Sequence, residues 1–95
     1  MSAPAFYLLA YDISDDRRRA KIAKIMEAMG ARVQGSVFEA YLTPVHLETL
    51  LKKVNKTLKK EEDSLRIYPL CENCREKIRT VGRGQATPPP EVMIV

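Results

Sequence analysis

Histidine occurs once and cysteine twice among the 95 residues, and each scarcity narrows the chemistry. The one histidine, His46, stands away from the other candidate polar residues, which argues against a histidine general base and suits a solvated or capping role. Two cysteines, Cys71 and Cys74, are too few for the disulfide framework of a small secreted domain. A single Cys-x-x-Cys pair also supplies only two of the four ligands of structural zinc, so a zinc site would need two subunits; thiol and packing roles stand beside it. No apolar run approaches the ~20 residues that cross a bilayer, and Met1 to Ala5 lack the basic flank and apolar core of a signal peptide. A cytoplasmic protein without membrane contact is expected, with no internal repeat and no second domain.

What is abundant is charge. Sixteen Lys and Arg face twelve Asp and Glu, a net charge of +4, and a symmetric dimer carries twice that. Polyanions are therefore plausible partners. With 45% hydrophobic residues the chain can enclose one modest core, and a chain this short buries only ~60–65% of its unfolded surface, so a partner that adds burial is expected.

The most informative stretch is residues 7 to 19, where an apolar run ends in Asp12 and breaks into Asp15, Asp16, Arg17, Arg18 and Arg19. Residues 5 to 13 alternate Phe6, Leu8 and Ala10 with Tyr7, Leu9 and Tyr11, which predicts a central strand that is apolar on both faces. Ser14 suits an N-cap, with Asp15 and Asp16 in the first turn, where negative charge meets the positive end of the helix dipole. Ile22, Ile25, Met26 and Met29 recur at helical spacing up to Gly30, giving a first helix over 15–29.

Residues 32–43 are rich in β-branched and aromatic residues, and a division near Glu39 and Ala40 predicts two consecutive strands. Leu47, Leu50, Leu51, Val54 and Leu58 form one face of a second helix that ends near Lys60. A fourth strand spans 65–70. The order strand, helix, strand, strand, helix, strand predicts an α+β fold, the ferredoxin-like βαββαβ sandwich with both helices on one face of an antiparallel sheet. The other face is left bare, and a second copy is the simplest cover, giving a sheet-to-sheet homodimer. Residues 1–83 form this domain, with a short extra strand expected over 77–81. Residues 84–95 read as a Pro-rich connector and an apolar C-terminal β tail that docks on the partner's edge.

Tyr11-Asp12-Ile13-Ser14-Asp15-Asp16 with Arg18, Arg19 and Lys21, then Arg32-Val33-Gln34-Gly35-Ser36-Val37-Phe38-Glu39, then Asp63-Ser64 through Ile67-Tyr68 together resemble the small CRISPR-associated endoribonuclease family. This is the second Cas protein, partner of the CRISPR integrase during spacer acquisition, and the match covers essentially the whole chain. The resemblance implies a ferredoxin-like homodimer in which the strand-one aspartate, here Asp12, approaches its mate around a divalent metal, Mg²⁺ with Mn²⁺ as an alternative. It also places Arg19, Lys21, Arg32, Ser36 and Phe38 near that site. Gly35 stands where a larger residue is common in the family, and the Cys71/Cys74 pair is not a general family feature.

Two carboxylates suit Mg²⁺, which binds few of them and keeps several waters, and such a site suits hydrolysis of a phosphodiester with Arg19 or Arg32 steadying the phosphate. The alternative for Asp12 is a plain turn cap. Asp15 and Asp16 are explained by their helix position. Arg17, Arg18, Lys21 and Lys24 on helix one and Lys53, Lys56 and Lys60 on helix two are the candidate nucleic-acid contacts, against the ordinary alternative of a solvated helix face. Two functions share this surface: an Mg²⁺-dependent endonuclease acting on RNA or DNA, and a non-catalytic DNA-binding scaffold of the integrase complex that does not need Asp12.

Overall fold

A computed structural model describes residues 3–84 and 87–88. The elements run β1 (Ala5–Asp12), α1 (Asp16–Met29), β2 (Ala31–Gln34), β3 (Val37–Leu42), α2 (Pro44–Thr57), β4 (Ser64–Leu70) and a short α3 (Glu72–Glu76). The four strands form one antiparallel sheet in the order β2-β3-β1-β4, the ferredoxin-like arrangement, with β1 in its interior.

Period-two alternation sends Leu9 and Tyr11 of β1, followed by Ile13, to the same side as Phe38, Ala40 and Leu42 of β3. They meet Ile22 and Met26 of α1 and Leu50 and Val54 of α2 in a single core. The other face carries Phe6, Leu8, Ala10 and Asp12 of β1 opposite Tyr41, Glu39 and Val37 of β3 and Leu70, Tyr68, Arg66 and Ser64 of β4. No helix of the α1/α2 layer covers it. Pro69 is tolerated because β4 is an edge strand.

The helices begin and end for identifiable reasons. Asp15, not Ser14, caps α1: its carboxylate accepts the Arg18 backbone N–H at 2.9 Å. Thr43 caps α2 through the His46 N–H at 3.1 Å, and Pro44 fits the first helical position, where its missing N–H costs nothing. Gly30 stops α1 by packing, not by a left-handed backbone. A Cβ there would lie 2.5 Å from the Glu39 carbonyl oxygen and 2.8 Å from Ala40 Cβ, so glycine lets the helix end press against β3.

Three boundaries differ from the sequence expectation. The division between β2 and β3 falls at Gly35 and Ser36, not at Glu39 and Ala40, because Gly35 supplies the positive φ of 36° that the reversal needs. Helix α2 stops at Thr57, which leaves Lys60 in the turn that follows. The chain after β4 winds into α3 instead of forming an extra strand over 77–81; capping by Cys71 starts that turn within one residue of the strand end. The expected C-terminal β tail lies outside the described residues.

Candidate metal and nucleic-acid site

Asp12 ends β1 on the face that the helices leave open, opposite Ser64, and is exposed. The helix start that follows takes its cap from Asp15, so the plain capping role is already filled. Among the described residues the Asp12 carboxylate makes no hydrogen bond or ion pair, and no group of three or more histidine, cysteine, aspartate or glutamate side chains is arranged to hold a metal. One chain thus presents a single uncommitted carboxylate at a strand end.

The neighbouring residue, Tyr11, points the opposite way, into a cleft of about 480 Å³ that it shares with Asp16, Arg19, Arg32, Gly35 and Ser36. Arg19 is tethered at the cleft wall: its guanidinium donates to the Ile13 carbonyl at 2.9 Å and the Ser14 carbonyl at 3.3 Å, and pairs with Asp16. That pairing gives Asp16 a local structural job. Arg32 donates to the Gly35 carbonyl at 2.6 Å and to Glu27 at 2.9 Å while its guanidinium lies 4.9 Å above the Phe38 ring. Phe38 is fully buried and stacks on Tyr11 with centroids 6.2 Å apart. It serves as the platform beneath Arg32, and burial removes it from direct contact with a large substrate.

Ser36 connects the two surfaces. Its carbonyl accepts the Tyr11 N–H at 3.1 Å, fixing the β2-β3 turn to the last residue before Asp12. The structure therefore gathers Arg19, Arg32 and Ser36 into one cleft over Phe38, and sets Asp12 on the other side of the same strand end. The cleft role of Tyr11 was missed by sequence reasoning, although alternation along β1 already requires residues 11 and 12 to face opposite ways.

Arg18 departs from the expected basic face. Its guanidinium turns inward, donating to Asp63 at 2.6 Å and 3.2 Å and to Glu62 at 3.0 Å. The Asp63 side chain is fully covered and also accepts the Lys59 backbone N–H at 2.9 Å. The Arg18 hydrogen bond, with help from Lys59, holds the Asp63 carboxyl below its ordinary range against the opposing effect of desolvation, and Asp63 in turn raises the Arg18 guanidinium. This clasp ties α1 to the turn that delivers Ser64 to the side of Asp12. No local pattern announces a pair 45 residues apart, so sequence reasoning had nothing to find it by. Arg17, Lys21 and Lys24, by contrast, are exposed along one face of α1, and Lys53 and Lys56 are exposed on α2.

A four-stranded antiparallel sheet with two helices on one face, a lone acid closing its first strand and a basic first helix define a small ferredoxin-like α+β domain. Within that class the chain belongs to the CRISPR associated protein Cas2 family, which it matches over residues 5–78. It is 53% identical to CRISPR-associated endoribonuclease Cas2 1 of Chloroflexus aurantiacus, over 90% of each chain. It is 39% identical to CRISPR-associated endonuclease Cas2 2 of Thermus thermophilus, over 94% of each. Among solved structures it resembles a chain of a partial Cas6-RT-Cas1--Cas2 complex, with a TM-score of 0.75 and 30% identity, over 95% of this chain and 99% of that one. No helix among the described residues is long and apolar enough to cross a membrane.

Proposed function

We propose that the protein acts in CRISPR spacer acquisition as a homodimeric, Mg²⁺-dependent endonuclease that hydrolyses phosphodiester bonds and binds the CRISPR integrase. The observation that carries this reading is the Asp12 carboxylate: exposed, uncommitted among the described residues and single on each chain. A face-to-face pair would bring two such acids to one metal, and Mg²⁺ commonly binds through one or two carboxylates while keeping its waters; Mn²⁺ would also suit oxygen ligands. When bound, the ion supplies charge neutralisation at phosphate and lowers the pKa of an attacking water. Asp12 holds that charge at the strand end. Arg32, locked over Phe38 and against Gly35, and Arg19 hold fixed cations in the cleft on the other side of the strand end, where they would meet a phosphate of the same nucleic-acid strand other than the one at Asp12. The relatives named as an endoribonuclease and an endonuclease support the reaction class.

Cleavage of labelled single-stranded RNA and duplex DNA, with Mg²⁺ or with EDTA, tests the proposal. Asp12→Asn is expected to abolish metal-dependent cleavage, a loss exceeding the ~10–100-fold typical of removing an outer-shell partner of a metal ligand, while the circular dichroism spectrum and oligomeric state stay unchanged. Equal cleavage by both proteins would overturn the catalytic reading.

A second reading rests on a different observation. The exposed row Arg17, Lys21 and Lys24, together with likeness to a chain of a Cas1--Cas2 assembly, supports a scaffold that holds DNA for the integrase without cutting it. In that reading Asp12→Asn leaves integration intact and charge reversal on α1 impairs it.

A further inference from the structure

Cys71 and Cys74 have no part in the cleft or in the Asp12 end of the sheet, and both are free and exposed. Exposure removes a packing role. Among the described residues no third ligand joins them, so one chain offers no zinc site. Their mutual geometry is the remaining feature. Cys71 caps α3, and its sulfur accepts the Cys74 backbone N–H at 3.4 Å, two bonds from Cys74 Cβ. Cys71 at the cap and Cys74 three residues on thus lie together at the start of the helix, with the Cys74 backbone N–H against the Cys71 sulfur.

We propose that Cys71 and Cys74 form a reversible dithiol–disulfide couple. Cys71 is the attacking thiol and Cys74 the resolving one. The asymmetry follows from their placement: donation from the Cys74 backbone N–H lowers the Cys71 pKa, and the neighbouring Cys71 sulfur raises that of Cys74. With a small-molecule disulfide as oxidant, the Cys71 thiolate attacks one sulfur and expels a thiolate. The Cys74 thiol then loses its proton and attacks the Cys71 sulfur, releasing the second thiolate. Two protein thiols are oxidised as one disulfide is reduced to two thiols.

The couple sits where the chain leaves β4 and folds back over the open sheet face. Arg75, the next residue, lies 5.8 Å above the Tyr41 ring and donates to the Thr87 carbonyl at 3.3 Å, and Thr87 is held in turn by Glu39 through its N–H at 2.9 Å and its hydroxyl at 2.5 Å. Oxidation alters the Cys71 sulfur that accepts the Cys74 N–H at the head of this chain of contacts.

The test equilibrates the full-length protein in buffers of varied reduced-to-oxidised glutathione ratio, traps thiols with maleimide and weighs the products. Both thiols should disappear together, giving a species two hydrogens lighter that is restored by dithiothreitol. The Cys74→Ser variant should instead accumulate one glutathione adduct on Cys71, and Cys71→Ser should react several-fold more slowly than Cys74→Ser. Wild-type protein that carries glutathione adducts in place of the internal disulfide, or that keeps both thiols free at every ratio, would overturn the proposal. So would stoichiometric zinc in the purified protein that protects both thiols until chelated.

Discussion

Asp12 and Asp63 meet opposite fates. Asp12 is left exposed with no partner among the described residues, whereas Asp63 is covered and held by Arg18 and Lys59. A depressed aspartate pKa stabilises the folded state at every pH above the unfolded value, near 3.8, and that contribution disappears as pH falls through the lower folded value. Asp63→Asn should therefore lower the chemical-denaturation midpoint at neutral pH, and the gap between the two proteins should close as pH drops below about 3.8, as measured by urea melts at several pH values. Phe38→Ala should cost about 3–5 kcal/mol in the same assay, because it empties a fully buried site and removes the Arg32 platform. At this scale the sequence was partly legible. Asp12 stood out by ending an apolar run, but Asp63 could be read only as the opening of a strand, since the Arg18 contact that defines it is non-local. The resemblance put Phe38 near the site, but the strand pattern could not tell its buried role beneath Arg32 from an exposed one, as aromatic side chains serve cores and platforms equally well there.

Helix α1 shows how one element serves two surfaces. Ile22 and Met26 fill the core while Arg17, Lys21 and Lys24 line the exposed side. Reversing Lys21 and Lys24 to Glu should weaken binding of duplex DNA and lower the slope of log affinity against log salt by about 1 for each phosphate no longer neutralised, with little change in melting temperature. An unchanged salt slope would mean that this face is only solvated. The strong periodicities of β1, α1 and α2 made these elements readable, because a continuous apolar stripe leaves few alternatives. The β2-β3 division was misplaced because the whole segment favours strand, and the reversal depends on the single positive-φ glycine at position 35. Helix α3 was missed since five residues carry no period, and its start rests on the Cys71 cap.

For the whole molecule the open sheet face is the surface on which the proposed dimer would form. Leu8, Ala10, Val37 and Leu70 are only partly buried there and Tyr68 is 43% exposed, a surface that suits a second copy. Leu8→Glu is expected to yield a folded monomer by sedimentation, and to lose metal-dependent cleavage along with the dimer. The fold was legible at this scale because element order and handedness leave few topologies. The proposed pairing of two Asp12 residues came from the family resemblance and not from any periodicity, since it depends on a surface between chains.

That pairing is tested most directly by mixing wild-type and Asp12→Asn protein in varied ratio, allowing subunits to exchange through mild denaturation and refolding, and measuring Mg²⁺-dependent cleavage at fixed total protein. If one site needs the carboxylates of both chains, activity falls as the square of the wild-type fraction, to about a quarter in an equal mixture. A linear fall, to about a half, would show that each chain acts with its own Asp12 and would contradict the shared site.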